Sequence, residues 1–141
     1  MVLYWDASAV LSVLIQDEHS RTALKYAKKR GVHLMSTLCF SEVNAVIHRM
    51  KREDILTNIL YESLLEVLQT GPWRRIAIQP EWGIIQGMSI KYSLRGADLW
   101  HIAAAKTLQR ELPEVKVLTF DKRMAVAAKR EHFFTKEKIN T

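Results

Sequence analysis

Two carboxylates close strand-like runs near opposite ends of this 141-residue chain. Residues 2–5 read as a buried strand, and Asp6-Ala7-Ser8-Ala9 follows at once. Residues 115–120 read as another strand, and Asp121-Lys122-Arg123 follows that. Open α/β sheets place their chemistry at the carboxyl ends of parallel strands, where two ends far apart in sequence can share one crevice. Glu42, in Phe40-Ser41-Glu42-Val43-Asn44, and Asp98, in Ala97-Asp98-Leu99-Trp100-His101, fall near the starts of two apolar helical stretches. They would complete an acidic cluster. Each acid has a plainer explanation. Asp6 and Asp121 can cap the helices behind them, Asp98 can complement a helix dipole, and Glu42 can be a surface glutamate. Taken singly these explanations suffice; taken together they leave the shared location unexplained.

A converging cluster needs a counter-charge. Two carboxylates about 4 Å apart repel by roughly 4 kcal/mol at an effective dielectric of about 20. Either some hold protons or a cation is bound. All-oxygen ligands without a Cys or His cluster select hard ions, which points to Mg²⁺ or Mn²⁺. Such an ion orients a phosphodiester, lowers the pKa of an attacking water and steadies the leaving oxygen. An acidic cluster with basic flanks therefore suggests a nuclease.

The elements that must position these acids alternate between strand and helix. Beyond the first strand, helices are expected over residues 8–15 and 18–30, the second with Asp17 as N-cap and Gly31 as its stop. Val32-His33-Leu34-Met35 is a short strand. Ser36 or Thr37 caps a helix over 38–52, whose Phe40, Val43, Val46, Ile47 and Met50 recur at helical spacing. A helix over 54–69 ends at Gly71-Pro72, and Arg75-Ile76-Ala77-Ile78 is a short strand. Pro80 fits the first turn of a helix over 80–92. After the Leu94-Arg95-Gly96 loop a helix runs from 97 to 112, then the strand 115–120, then a helix over 122–130. The basic tail from Glu131 is expected to form a last short strand or to fray. This alternation implies a mainly parallel sheet with helices on both faces, in one domain.

The net charge of +6 favours a polyanionic partner such as nucleic acid, although a lysine-rich surface gives the same balance. Arg95, Lys122 and Arg123 are the cations best placed to meet a phosphate. Cys39 is the only cysteine, so no intrachain disulfide forms, which fits a reducing cytoplasm. No apolar run is long enough to span a bilayer, and the N-terminus lacks a basic leader, so Met1 onward reads as mature structure and no membrane partner is expected. His101 could share a helix face with Asp98, but a packed, hydrogen-bonded histidine is the simpler reading. Trp73 and Trp82 are expected to pack or to form part of a partner surface.

The ordered set Asp6-Ala7-Ser8-Ala9, Ser41-Glu42, Arg95-Gly96-Ala97-Asp98-Leu99-Trp100-His101-Ile102-Ala103 and Thr119-Phe120-Asp121-Lys122-Arg123 resembles the PIN domain, and within it the VapC-type toxins of toxin–antitoxin pairs. The resemblance extends from the N-terminus to about residue 130. It implies a three-layer α/β/α sandwich and a metal-dependent endoribonuclease that leaves 5′-phosphate and 3′-hydroxyl ends. It implies that Asp6, Glu42 and Asp98 are the main metal-site acids, that Asp121 completes the cluster directly or through water, and that Ser8 and Thr119 support Asp6 by hydrogen bonds. It also implies a homodimer and a cognate antitoxin. The sequence departs from the family at Trp100, where a small residue is often found; this side chain either stacks on a base or packs in the core or at a dimer interface. Two rival readings remain open at this point. One is a PIN-like module that binds RNA or protein without turnover. The other is an aspartate phosphotransfer protein, disfavoured because no second Asp stands two residues after Asp6.

Overall fold

The structure is a computed structural model that describes residues 1–135. Four strands, β1 (Val2–Trp5), β2 (Val32–Ser36), β3 (Trp73–Ile76) and β4 (Val115–Leu118), form one parallel sheet in the order β3-β2-β1-β4. The helices are α1 (Ala7–Leu14), α2 (Ser20–Ala27), α3 (Thr37–Arg52), α4 (Asn58–Thr70), α5 (Trp82–Lys91), α6 (Gly96–Gln109) and α7 (Lys122–Arg130). The chain builds outward from β1 through β2 to β3, then returns to lay β4 on the other side of β1. The strand order therefore reverses at the β1–β4 boundary, where α/β sheets open a crevice.

Alternation along β1 separates two cores. Leu3 and Trp5 pack with Ala9, Val10, Cys39, Val43, Ile47 and Leu68 from α1, α3 and α4. Val2 and Tyr4 pack with Met88, Ile102, Ala104, Ala105, Met124 and Ala127 from α5, α6 and α7. The result is a helix–sheet–helix sandwich. All four residues of β1 are buried, which fits a central strand covered on both faces.

Several boundaries differ from the sequence expectation, each for a local reason. Asp17 does not cap α2; its carboxylate accepts from Ser12 Oγ at 2.7 Å and from the His19 amide at 2.8 Å, closing the turn ahead of the helix. Helix α4 starts at Asn58 rather than 54, because Asp54 adopts a left-handed φ of 56° and Thr57 supplies the cap, accepting from the Leu60 amide. Strand β3 begins two residues early, at Trp73, whose side chain is buried beside Trp5. Pro80 precedes α5 instead of lying in its first turn. Gly31 does sit at a turn that excludes other residues: its φ is 141°, and a Cβ there would lie 2.5 Å from the Met1 carbonyl oxygen. The tail begins packed, with Phe133 fully buried and Phe134 bridged in parallel to Val117. The fraying expected farther along falls on residues 136–141, outside the described residues. Among the described residues no helix is long and apolar enough to cross a membrane.

Candidate active site

The β1–β4 boundary delivers the first acid. The Asp6 amide donates to the Leu118 carbonyl at 3.2 Å, extending the β1–β4 pairing by one residue. Its carboxylate then turns back as the N-cap of α1, accepting from the Ala9 amide at 2.9 Å and from Ser8 Oγ at 2.7 Å, both on Oδ1. Thr119 Oγ1 donates to Oδ2 at 2.6 Å. Ser8 and Thr119 serve both strand ends, since Ser8 Oγ accepts the Phe120 amide at 2.9 Å and Thr119 Oγ1 accepts the Asp121 amide at 3.1 Å. Asp121 caps α7 through Oδ1, which accepts from the Met124 amide at 2.8 Å. Capping and clustering are thus compatible: the caps hold Asp6 and Asp121 at adjacent strand ends.

Asp6 is only 3% exposed. Burial pushes its carboxyl above the ordinary range, while the hydrogen bonds from Thr119, Ser8 and Ala9 and the nearby His101 pull the other way. Asp98 stands in the first turn of α6. Its carboxyl is pushed up by its own burial, then by the charge of Asp121; Glu42 adds to this, and His101 and Arg95 oppose it. The field at Asp98 therefore contains two other carboxylates. Burial likewise holds the Tyr4 hydroxyl and the Cys39 thiol well above their usual ranges, and both also feel Asp6 and Glu42.

Glu42 rises from the second turn of α3 and is half-buried. Its Oε1 lies 2.6 Å from His101 Nε2. The other ring nitrogen of His101, Nδ1, lies 2.5 Å from the Tyr4 hydroxyl, which also contacts Ser36 Oγ at 3.2 Å. Ser36 in turn caps α3 by accepting the Cys39 amide. His101 is thus packed and hydrogen-bonded, 1% exposed, yet its partner is a site carboxylate. Its only signal in the sequence was its place one helical turn after Asp98. Trp100 packs partly buried against the second core, edge-on to His101.

Oxygen donors of this kind suit a hard divalent ion. Among the described residues, however, no group of three or more His, Cys, Asp or Glu side chains is arranged to hold a metal ion as it stands. In this arrangement Glu42 is held by His101, and Asp6 accepts three donors. A carboxylate offers about four acceptor positions, so each acid retains capacity. Asp98 accepts no hydrogen bond among the described residues. Donor chemistry and charge fit a cation, which would relieve the mutual repulsion of Asp98, Asp121 and Glu42.

A basic cavity of about 360 Å³ runs along α7, lined by Lys91, Tyr92, Ser93, Leu94, Arg123, Val126 and Arg130. Arg123 and Arg130 have no ion pair among the described residues. The wall formed by residues 91–94 is anchored by the buried Glu131, which takes the Tyr92 hydroxyl and pairs with Lys106 at 3.2 Å and Lys91 at 3.8 Å. Lys122 and Arg95 are exposed at the helix starts next to Asp121 and Asp98. In the sequence Arg130 reads as part of a basic helix end with Lys129, and only the fold sets it with Lys91 and Arg123 around one opening.

A family model described as PIN domain matches residues 3–130. No curated protein matches the chain significantly. Among solved structures, the chain is similar to Mycobacterium tuberculosis VapC20, a sarcin–ricin loop cleaving toxin, at 14% identity over 89% of this chain and 94% of that one, with a TM-score of 0.59. It is also similar to VapBC2 from Rickettsia felis, bound to a DNA fragment from their promoter, at 12% identity over 97% of this chain and 98% of that one, with a TM-score of 0.60. At such identities the likeness is one of fold.

Proposed function

This chain belongs to the PIN domain family, and from that premise we propose that it is a Mg²⁺- or Mn²⁺-dependent endoribonuclease, the toxin of a toxin–antitoxin pair. The observation that carries the reading is the crowding of Asp98 by Asp121 and Glu42 at the strand ends that also present Asp6. Crowded carboxylates that His101 and Arg95 offset only in part suit a bound cation. Asp6, Glu42 and Asp98 would hold it, with Asp121 completing the set directly or through water. When bound, the ion supplies an activated water and charge stabilisation at the phosphodiester.

The chain's own residues do the rest. Ser8, Thr119 and the Ala9 amide fix the orientation of Asp6. Arg95, Lys122 and Arg123 are proposed phosphate contacts, and the cavity with Lys91 and Arg130 extends that positive surface away from the acids. The proposed protein partners are a cognate antitoxin and a second copy of the chain, and the proposed compartment is the cytoplasm. The exposed Ile59 and Leu60 of α4 and Trp82 and Ile90 of α5 are apolar surface that such partners would cover.

The test is incubation of the protein with total cellular RNA in Mn²⁺, Mg²⁺ or chelator, beside Asp98→Asn. Discrete metal-dependent cuts that vanish in the variant are expected. Full cleavage by both Asp6→Asn and Asp98→Asn would sink the site assignment, and binding without turnover at every metal concentration would leave a silent binding module.

A further inference from the structure

We propose that His101 is a positioning residue for Glu42, set in place by a buried hydrogen-bonded chain running from Ser36 through Tyr4 to the imidazole. The inference rests on the metal-nuclease reading for its purpose, but the geometry stands by itself. An ionised carboxylate only accepts, so His101 Nε2 must carry a proton to donate to Glu42 Oε1 at 2.6 Å. The opposite nitrogen then has two consistent states. In the charged ring, Nδ1 donates to Tyr4, and Tyr4 donates to Ser36 Oγ; in the neutral ring, Nδ1 accepts the single Tyr4 hydroxyl proton, and Ser36 Oγ would have to turn and donate to Tyr4. Both states keep the proton on Nε2 and the bond to Glu42. Carboxylates that ligate a metal are commonly held in place by hydrogen bonds from outside the ligand set, and such partners tune the affinity of the site.

The chain joins the elements that supply the acids. Tyr4 is on β1, two residues before Asp6. Ser36 caps α3, which carries Glu42. His101 is on α6, one turn after Asp98. Tyr4, Ser36 and His101 are all buried, so the contact cannot be a chance meeting of surface groups. His33 offers the contrast. It is equally buried, but it bridges the Trp5 indole at 3.0 Å and the Lys29 carbonyl at 2.8 Å, and it meets no acid of the site. His33 completes a core; His101 ends on a half-exposed carboxylate whose Oε2 takes no hydrogen bond among the described residues.

The test is a double-mutant cycle read by Mn²⁺ binding calorimetry on the full chain, with His101→Leu, Glu42→Gln and both together. His101→Leu is expected to weaken Mn²⁺ binding about 10–100-fold. In the Glu42→Gln background it should do nothing further, because its effect passes through that carboxylate. His101→Gln keeps a side-chain N–H donor and should recover part of the loss. In cleavage assays His101→Leu should lower kcat with the KM for RNA unchanged. An equal loss with and without Glu42, or no loss at all, overturns the proposal. Should His101→Leu fail to fold, Tyr4→Phe serves in its place. Nitrogen NMR of the ring in the metal-free protein gives a second, independent reading. A proton on Nε2 whose resonance moves in Glu42→Gln supports the tether, and a neutral ring protonated on Nδ1 overturns it. If the wild-type chain binds no Mn²⁺, the nuclease reading falls, and the NMR result alone decides the tether.

Discussion

Thr119 donates its hydroxyl to Asp6 across 113 positions of sequence, at 2.6 Å, while its oxygen accepts the amide of Asp121. One hydroxyl therefore locks the ends of two neighbouring strands and serves the acids after both. Thr119→Val keeps the shape and removes the donor. Loss of a hydrogen bond to a buried charged group is expected to cost about 1–3 kcal/mol and to drive the Asp6 carboxyl further up. Urea unfolding at neutral pH would measure it, and an unchanged midpoint would show that the contact contributes nothing.

The raised carboxyls of Asp6 and Asp98 fix the sign of a pH effect. In the native state each holds its proton to higher pH than in the unfolded chain. Between the unfolded value near 3.8 and the raised folded value, the native state binds more protons, so their contribution to stability declines as pH rises. A bound cation removes this penalty. Added Mn²⁺ is thus expected to raise Tm more at pH 7.5 than at pH 5, by several degrees as an order of magnitude. Asp98→Asn should raise the Tm of the metal-free protein at neutral pH and abolish its cleavage. Thermal scans across pH, with and without metal, read both effects; a metal shift that is the same at every pH would argue against them.

The cavity beside α7 predicts how RNA binding responds to salt. With Asp98→Asn as background to prevent cutting, Arg123→Ala and Arg130→Ala should each weaken binding to single-stranded RNA. Each should also flatten the dependence of log affinity on log salt by about one contact's worth, a slope change of roughly 0.7. The loss should be similar across RNA sequences, because phosphate contacts carry no base information. Equal slopes in all three proteins would remove the cavity from the RNA path.

Glu131 has the opposite titration to Asp6. Burial alone would raise its carboxyl, but the Tyr92 hydroxyl and the Lys106 and Lys91 charges hold it below the ordinary range. Its stabilising contribution is present above the unfolded value and is lost as pH falls toward the folded one. Glu131→Gln should destabilise the fold by about 1–3 kcal/mol at neutral pH and by less in acid. It should also loosen the 91–94 wall of the cavity, weakening RNA binding without altering Mn²⁺ affinity. Calorimetry of both ligands on the variant checks the pair of outcomes.

The parallel sandwich was legible because its signals are local: apolar runs that end at Asp6 and Asp121, and helical periods that bury Val43 and Ile47. The bounds of α7 were readable for the same reason, since Asp121 caps it and basic pairs, Lys122-Arg123 and Lys129-Arg130, mark its two ends. The errors share a cause. Periodicity detects a face, not the residue at which a backbone turns, so Ile55 was counted into α4 although Asp54 breaks the path. Nor does composition tell a buried tryptophan from an exposed one. Trp73 fills the core beside Trp5, whereas Trp82 is 85% exposed, and only the sheet's position separates them. The four acids could be named from their motifs, but the bond from Glu42 to His101 could not. It spans 59 residues and depends on how α3 and α6 meet across the end of β1.

The strand order carries a consequence for synthesis. Asp6 is made more than a hundred residues before its neighbour in the sheet, β4, and its partner Thr119. Until then Asp6 lacks the strand that shields it, and Asp121 does not exist. A nascent chain holds no complete acidic centre until β4 and Asp121 have been made. If the finished protein cuts RNA, the translating machinery nearest to it is spared by the order in which the sheet is written.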